Sequence, residues 1–159
     1  MVGSGSVPAD ILLIGEAPGK SEDLVGQPFV GKAGRILRLA VNEAVQLAGG
    51  SPRWFITNVA GCHPENNRVP TKSEIEACWP RVRSLYGVLR PKVIVGLGKT
   101  AAGILGKFPN RAVYTRETFH PAYCARNGGI ESSQFQRLVR DLEAVIELWQ
   151  RKNQQGTTP

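Results

Sequence analysis

Ile11-Leu-Leu-Ile-Gly-Glu-Ala-Pro-Gly-Lys-Ser-Glu-Asp23, followed at once by Gly26-Gln-Pro-Phe-Val-Gly-Lys-Ala-Gly34, decides how this chain is read. Ile11–Gly15 is apolar without alternation, which fits a strand covered on both faces. It runs into Gly15-Glu16-Ala17-Pro18-Gly19, a tight turn where a carboxylate and several backbone amides must crowd together. Pro28-Phe29 then offers an exposed aromatic on a Gly-rich loop, and a helix starts near Lys32. A strand end, a polar turn and a flat ring together suit a pocket for a small planar polar ligand.

Working outward, residues 1–10 read as a short flexible lead. Residues 32–48 read as a helix with Ile36, Leu37, Leu39, Ala40, Ala44 and Leu47 inward and Gly49-Gly50 as its stop. Trp54–Val59 is a second strand, and residues 60–70 form a polar loop. Thr71-Lys-Ser-Glu74 is a capping box opening a helix to about Arg90, which Pro80 is expected to kink or break. Lys92–Leu97 is a third strand, followed by a short helix ending at Gly106. Residues 112–118 are a weaker fourth strand, His120-Pro121 lies in a loop, and the last helix spans about 131–151 with the tail frayed from Asn153. Its inward residues are Phe135, Leu138, Leu142, Val145, Ile146 and Trp149.

Strands alternating with helices predict an α/β fold, a three-layer α/β/α sandwich around a central four-stranded parallel sheet. In such a sheet ligands bind at the carboxyl ends of the strands. The polar clusters 15–29, 58–68, 98–100 and 119–126 all follow strands, so they are expected to converge on one crevice. The 159 residues suit a single domain with its core at about 8–151. No run is long enough for a membrane span, and no signal peptide is evident. A cytoplasmic monomer is the expectation. The net charge of +7 fits either solubility or a polyanionic partner.

Two common nucleotide motifs are excluded. Gly98-Lys99-Thr100 looks like the end of a phosphate loop, but the upstream glycine is replaced by Val93. Gly15 and Gly19 have the wrong spacing for a dinucleotide fingerprint. Asn58 either caps a sheet end or uses its adjacent donor and acceptor to read the edge of a base. His120 is either an idle loop residue or a group at the crevice mouth. His63 reads as a solvent-exposed loop residue.

Taken in order, several motifs resemble family 4 of the uracil-DNA glycosylase superfamily. They are Gly15-Glu-Ala-Pro-Gly-x-x-Glu-Asp23, Gly26-x-Pro-Phe-Val-Gly-x-Ala-Gly34, Thr57-Asn-Val59, Cys62-x-Pro64, Asn67-Arg-x-Pro70, Glu74-x-x-x-Cys78, Gly96-Leu-Gly-Lys-Thr-Ala101 and His120-Pro-Ala-Tyr123. The match runs from about residue 8 to 148. The resemblance implies base excision from DNA containing uracil, single- or double-stranded, by flipping the base out of the stack. Phe29 would stack on the base, Asn58 would read its edge, and Gly15, Ala17 and Glu22 would line the pocket. Glu16, Asn67 and His120 would serve the chemistry, with His120 at the base O2. Arg68, Lys99, Thr100, Pro121, Tyr123 and Arg126 would meet DNA, and the loop Tyr123–Arg126 would press into the minor groove with Tyr123 as wedge.

The same family carries a [4Fe–4S] cluster on four cysteines. Cys62 and Cys78 match two ligand positions, and the upstream Cys-x-x-Cys pair is missing. Cys124 is a poor substitute, since its loop is expected to face DNA. The expectation is therefore no cofactor and no metal, with Cys62 and Cys78 as relic positions. Two other readings stay open: a DNA-binding relative with weak or lost catalysis, and a glycosylase for another modified or deaminated base.

Overall fold

The computed structural model describes residues 1–109 and 113–155. Strand β1 is Ser4–Gly5, β2 Ile11–Gly15, β3 Trp54–Asn58, β4 Val93–Leu97 and β5 Tyr114–Thr118. The helices are α1 (Lys20–Val25), α2 (Lys32–Ala48), α3 (Lys72–Leu89), α4 (Lys99–Ala102), α5 (Pro121–Arg126) and α6 (Ser133–Gln155). The sheet order is β1-β3-β2-β4-β5. The four expected strands pair in parallel, while β1 adds an antiparallel edge on β3. Residue 112, the expected start of the fourth strand, lies outside the described residues.

The sheet divides two apolar layers, as the α/β/α reading requires. Ile11, Leu13, Val93, Val95 and Leu97 share a core with Ile36 and Leu37 of α2, Cys124 of α5 and Leu138, Leu142 and Ile146 of α6. Leu12, Ile14, Phe55 and Ile94 face Val82 and Leu89 of α3 and Ala101 of α4. Every residue of β2 and β4 is buried, which explains their unbroken apolar runs.

Several expectations need correction. The first ten residues are tied down rather than loose. Thr57 Oγ1 donates to the Val2 carbonyl at 2.6 Å, Ala9 is buried, and Ser6 N donates to the Trp54 carbonyl. A two-residue strand of Ser and Gly carries no apolar pattern, so nothing in the sequence announced it. Pro80 does not break α3, which runs unbroken through it. Pro80 is exposed, so the carbonyl deprived of a donor faces water. Leu39 and Leu47 of α2 are 49% and 58% exposed, because the buried stripe is narrower than the apolar one. The last helix starts at Ser133, where Ser132 caps it by accepting from Phe135 N at 3.1 Å. It continues to Gln155, past the expected fraying point; residues 156–159 lie outside the described residues.

Candidate active site at the strand ends

The carboxyl ends of β2 and β3 bring the first two site residues together. Gly15 and Asn58 are partners on the last rung of that pairing. A Cβ at Gly15 would fall 2.4 Å from Asn58 Oδ1 and 2.5 Å from Phe29 Cζ. The missing side chain is what lets an amide and an aromatic ring close on one point.

Phe29 is buried, not exposed as the loop composition suggested, because its ring lies over Gly15. Its backbone is left-handed, at φ 57°, a conformation that costs about 1–3 kcal/mol in a bulky residue. Two contacts hold it there. Arg38 Nη1 donates to the Phe29 carbonyl at 2.9 Å. Gly34 passes so close that a Cβ there would lie 1.5 Å from the same oxygen. The ring centroid stands 6.0 Å from that of His120, with the planes 30° apart.

Asn58 is 4% exposed, and its Oδ1 is buried with no hydrogen-bond partner among the described residues. Leaving such an acceptor unpaired costs about 1–3 kcal/mol. A ligand N–H would satisfy it.

His120 follows β5 and caps α5: Ala122 N donates to its Nδ1 at 3.1 Å. With Nδ1 accepting, the neutral ring carries its proton on Nε2, free to be donated. Burial lowers the pKa of His120 below its ordinary value; Glu16 opposes the shift and Arg126 adds to it. Gly98, at φ 86°, would place a Cβ 2.9 Å from His120 Cβ, so only glycine lets the β4 turn pass the root of that side chain.

Glu16 sits half-buried in the first turn. Its carboxylate accepts from Thr100 Oγ1, and its carbonyl accepts from Ala60 N at 2.9 Å. Thr100, expected on DNA, thus holds a carboxylate of the crevice. Ala17 is half-buried in the same turn. Glu22 Oε1 accepts from Gly31 N at 2.9 Å, tying α1 to the turn that enters α2. His63 is half-buried, contrary to expectation, and its Nδ1 donates to the Pro18 carbonyl at 2.9 Å. That bond lays the 60–68 loop against the first motif. Asn67 ends a 3-10 turn at φ 54°; its side chain is exposed, and no hydrogen bond joins it to Glu16 or His120 among the described residues.

Beside His120 runs a groove of about 660 Å³ whose lining includes Lys99, Phe119, Tyr123, Arg126 and Arg137. Tyr123 and Phe119 are 40% and 42% exposed, with ring centroids 5.4 Å apart and planes tilted by 38°. Phe119 lies inside the expected 119–126 cluster but outside every motif, so no role pointed to it. Pro121 is buried at the start of α5. Cys124 is fully buried against the core rather than turned toward the groove, since the segment coils into a helix. Arg68 forks its guanidinium onto Glu74 at 2.6 and 2.8 Å, beside the capping box of α3, and both side chains are exposed.

The residues described do not fit a four-thiolate cluster. No group of at least three Cys, His, Asp or Glu able to hold a metal occurs among them. Cys62 is exposed, and Cys78 Sγ accepts from Gly61 N at 3.4 Å.

A family model described as "Uracil DNA glycosylase superfamily" matches residues 2–143. A type-4 uracil-DNA glycosylase of Sulfurisphaera tokodaii is 44% identical over 166 aligned positions, covering 92% of this chain and 73% of that protein. One from Thermotoga maritima is 35% identical, covering 90% and 79%. One from Pyrobaculum aerophilum is 41% identical over 69% of this chain and 54% of its own length. The matched part thus spans about half the length of some curated relatives.

Proposed function

The chain belongs to the uracil DNA glycosylase superfamily, and we propose that it hydrolyses the N-glycosidic bond of uracil flipped out of DNA. One observation carries the reading: the orphaned amide oxygen of Asn58 is buried where the Phe29 ring meets Gly15. Uracil N3–H would satisfy that oxygen while the ring stacks on Phe29. The adjacent amide donor then suits the O4 carbonyl, so the amide edge matches the imide edge of the base.

As the bond breaks, negative charge gathers on uracil O2 and positive charge on the sugar. The neutral His120 donates from Nε2 to O2, its direction fixed beforehand by the Ala122 amide on Nδ1. Removing a donor of this kind costs about 2.7–4 kcal/mol of barrier. The Glu16 carboxylate, held by Thr100, offsets the charge on the sugar and orients the water that attacks C1′. Asn67, exposed on its turn, is a weaker candidate for that water. Glu22 acts by fixing the loop that presents Phe29 and can crowd the C5 position of the base. Lys99 and Arg126 flank the groove as phosphate partners, and Tyr123 fills the vacated stack.

The test is direct. Single- and double-stranded oligonucleotides carrying uracil are incubated with the chain, then treated with alkali to cut abasic sites. Scission at uracil is the expected result. Tight binding without scission on any substrate overturns the reading, as does scission only at another lesion.

A further inference from the structure

Behind the pocket, Arg81 of α3 reaches into the sheet end. Its Nη2 donates to the carbonyls of Asn58 at 2.5 Å and Val59 at 3.1 Å. Its Nη1 donates to Thr57 Oγ1 at 2.9 Å and to the Val2 carbonyl at 3.0 Å. No carboxylate pairs with it among the described residues. Burial depresses its pKa; its Nη atoms are held by these neutral acceptors, while its Nε is buried without a hydrogen-bond partner among the described residues. It packs closely on Gly61, where a Cβ would stand 3.2 Å from Arg81 Nε.

These acceptors lie where the β-ladder runs out. Asn58 is the last residue of β3, so its carbonyl and that of Val59 find their donor in Arg81. We propose that Arg81 is a positioning residue for base recognition, clamping the Asn58–Val59 backbone to α3 and to the amino-terminal segment so that the Asn58 amide stays in register with the base. The inference rests on the glycosylase reading above. Arg81 stands one helical turn after Cys78, and the cross-link there is made by a guanidinium and backbone carbonyls.

Arg81→Met removes the fork while keeping a long apolar stem. Measured where the variant is folded by circular dichroism, its kcat/KM for uracil excision falls by up to about 10²-fold, the scale of a 1 Å misplacement. The inhibition constant of free uracil rises with it. Val82→Ala, a core truncation on the same helix, lowers Tm but leaves that constant unchanged. Arg81→Lys keeps a charge but donates from one point, so its uracil constant falls between wild type and Arg81→Met. It carries the test alone if Arg81→Met does not fold. A uracil constant for Arg81→Met equal to that of Val82→Ala overturns the clamp. So does Arg81→Lys that binds uracil as wild type does. An inactive wild type, by contrast, sinks the glycosylase reading itself.

Discussion

Gly15→Ala tests whether the pocket depends on the missing side chain at the end of β2. The new methyl would sit 2.4 Å from Asn58 Oδ1 and 2.5 Å from Phe29 Cζ. Ordinary carbon contacts lie at about 3.5–4.0 Å, so amide and ring must part by about 1 Å. Neither retreats freely. Asn58 is fixed by the ladder and by Arg81, and the Phe29 loop is held by Arg38 and Gly34. A 1 Å misplacement costs about 10²-fold in rate, and the overpacking costs about 1–3 kcal/mol of stability. The assay is single-turnover excision from a uracil-containing oligonucleotide, with Tm measured in parallel. Gly87→Ala is the control. Gly87 lies inside α3, and a methyl added there would meet no atom within 4 Å, so alanine gains about 1 kcal/mol and leaves the rate alone. Wild-type excision by Gly15→Ala refutes the reasoning.

Asn58→Leu removes a buried, unpartnered acceptor; excision is lost while Tm holds or rises by about 2–4 °C for each kcal/mol relieved, and a large fall in Tm contradicts the orphan's role. His120 has its pKa lowered by burial from an ordinary 6.5, so the unfolded chain binds the proton first as pH falls. Its share of stability is complete above 6.5 and drains away as pH drops through the lower folded value. Thermal melts of wild type then fall more steeply below pH 6.5 than those of His120→Gln, and parallel curves count against it. Tyr123→Ala breaks the exposed pair with Phe119 and weakens binding to single-stranded DNA by about 1–3 kcal/mol, the worth of one base stacked on an aromatic; unchanged affinity in a titration removes the wedge role. Thr71→Ala takes away the hydroxyl that accepts from Glu74 N and lowers stability by about 0.5–2 kcal/mol with excision unaffected, which paired melts and rate measurements check.

The parallel sheet was legible because its strands are buried on both faces and so read as unbroken apolar runs. The convergence of four strand-end clusters followed from the topology alone. What stayed hidden was long-range. Nothing local to Pro28-Phe29 says that the ring turns inward; that depends on Gly15 beneath it and Gly34 behind it. Arg81 looks like an ordinary surface cation on an amphipathic helix, and only the end of the β3 ladder reveals its acceptors. Arg68 and Thr100 read as DNA contacts by position, yet each has a partner within the fold, Glu74 and Glu16. Leu39 and Leu47 show the opposite failure, apolar residues of the right period that the packed stripe leaves outside. Phe119, the ring beside Tyr123, became visible only through the turn that follows β5.

A crystal structure of the chain with free uracil tests the central claim most directly. The base is expected flat on the Phe29 ring, with N3–H against the Asn58 Oδ1 that lacks a partner among the described residues and O2 facing His120 Nε2. Uracil bound elsewhere, with that amide oxygen still unpaired, contradicts it.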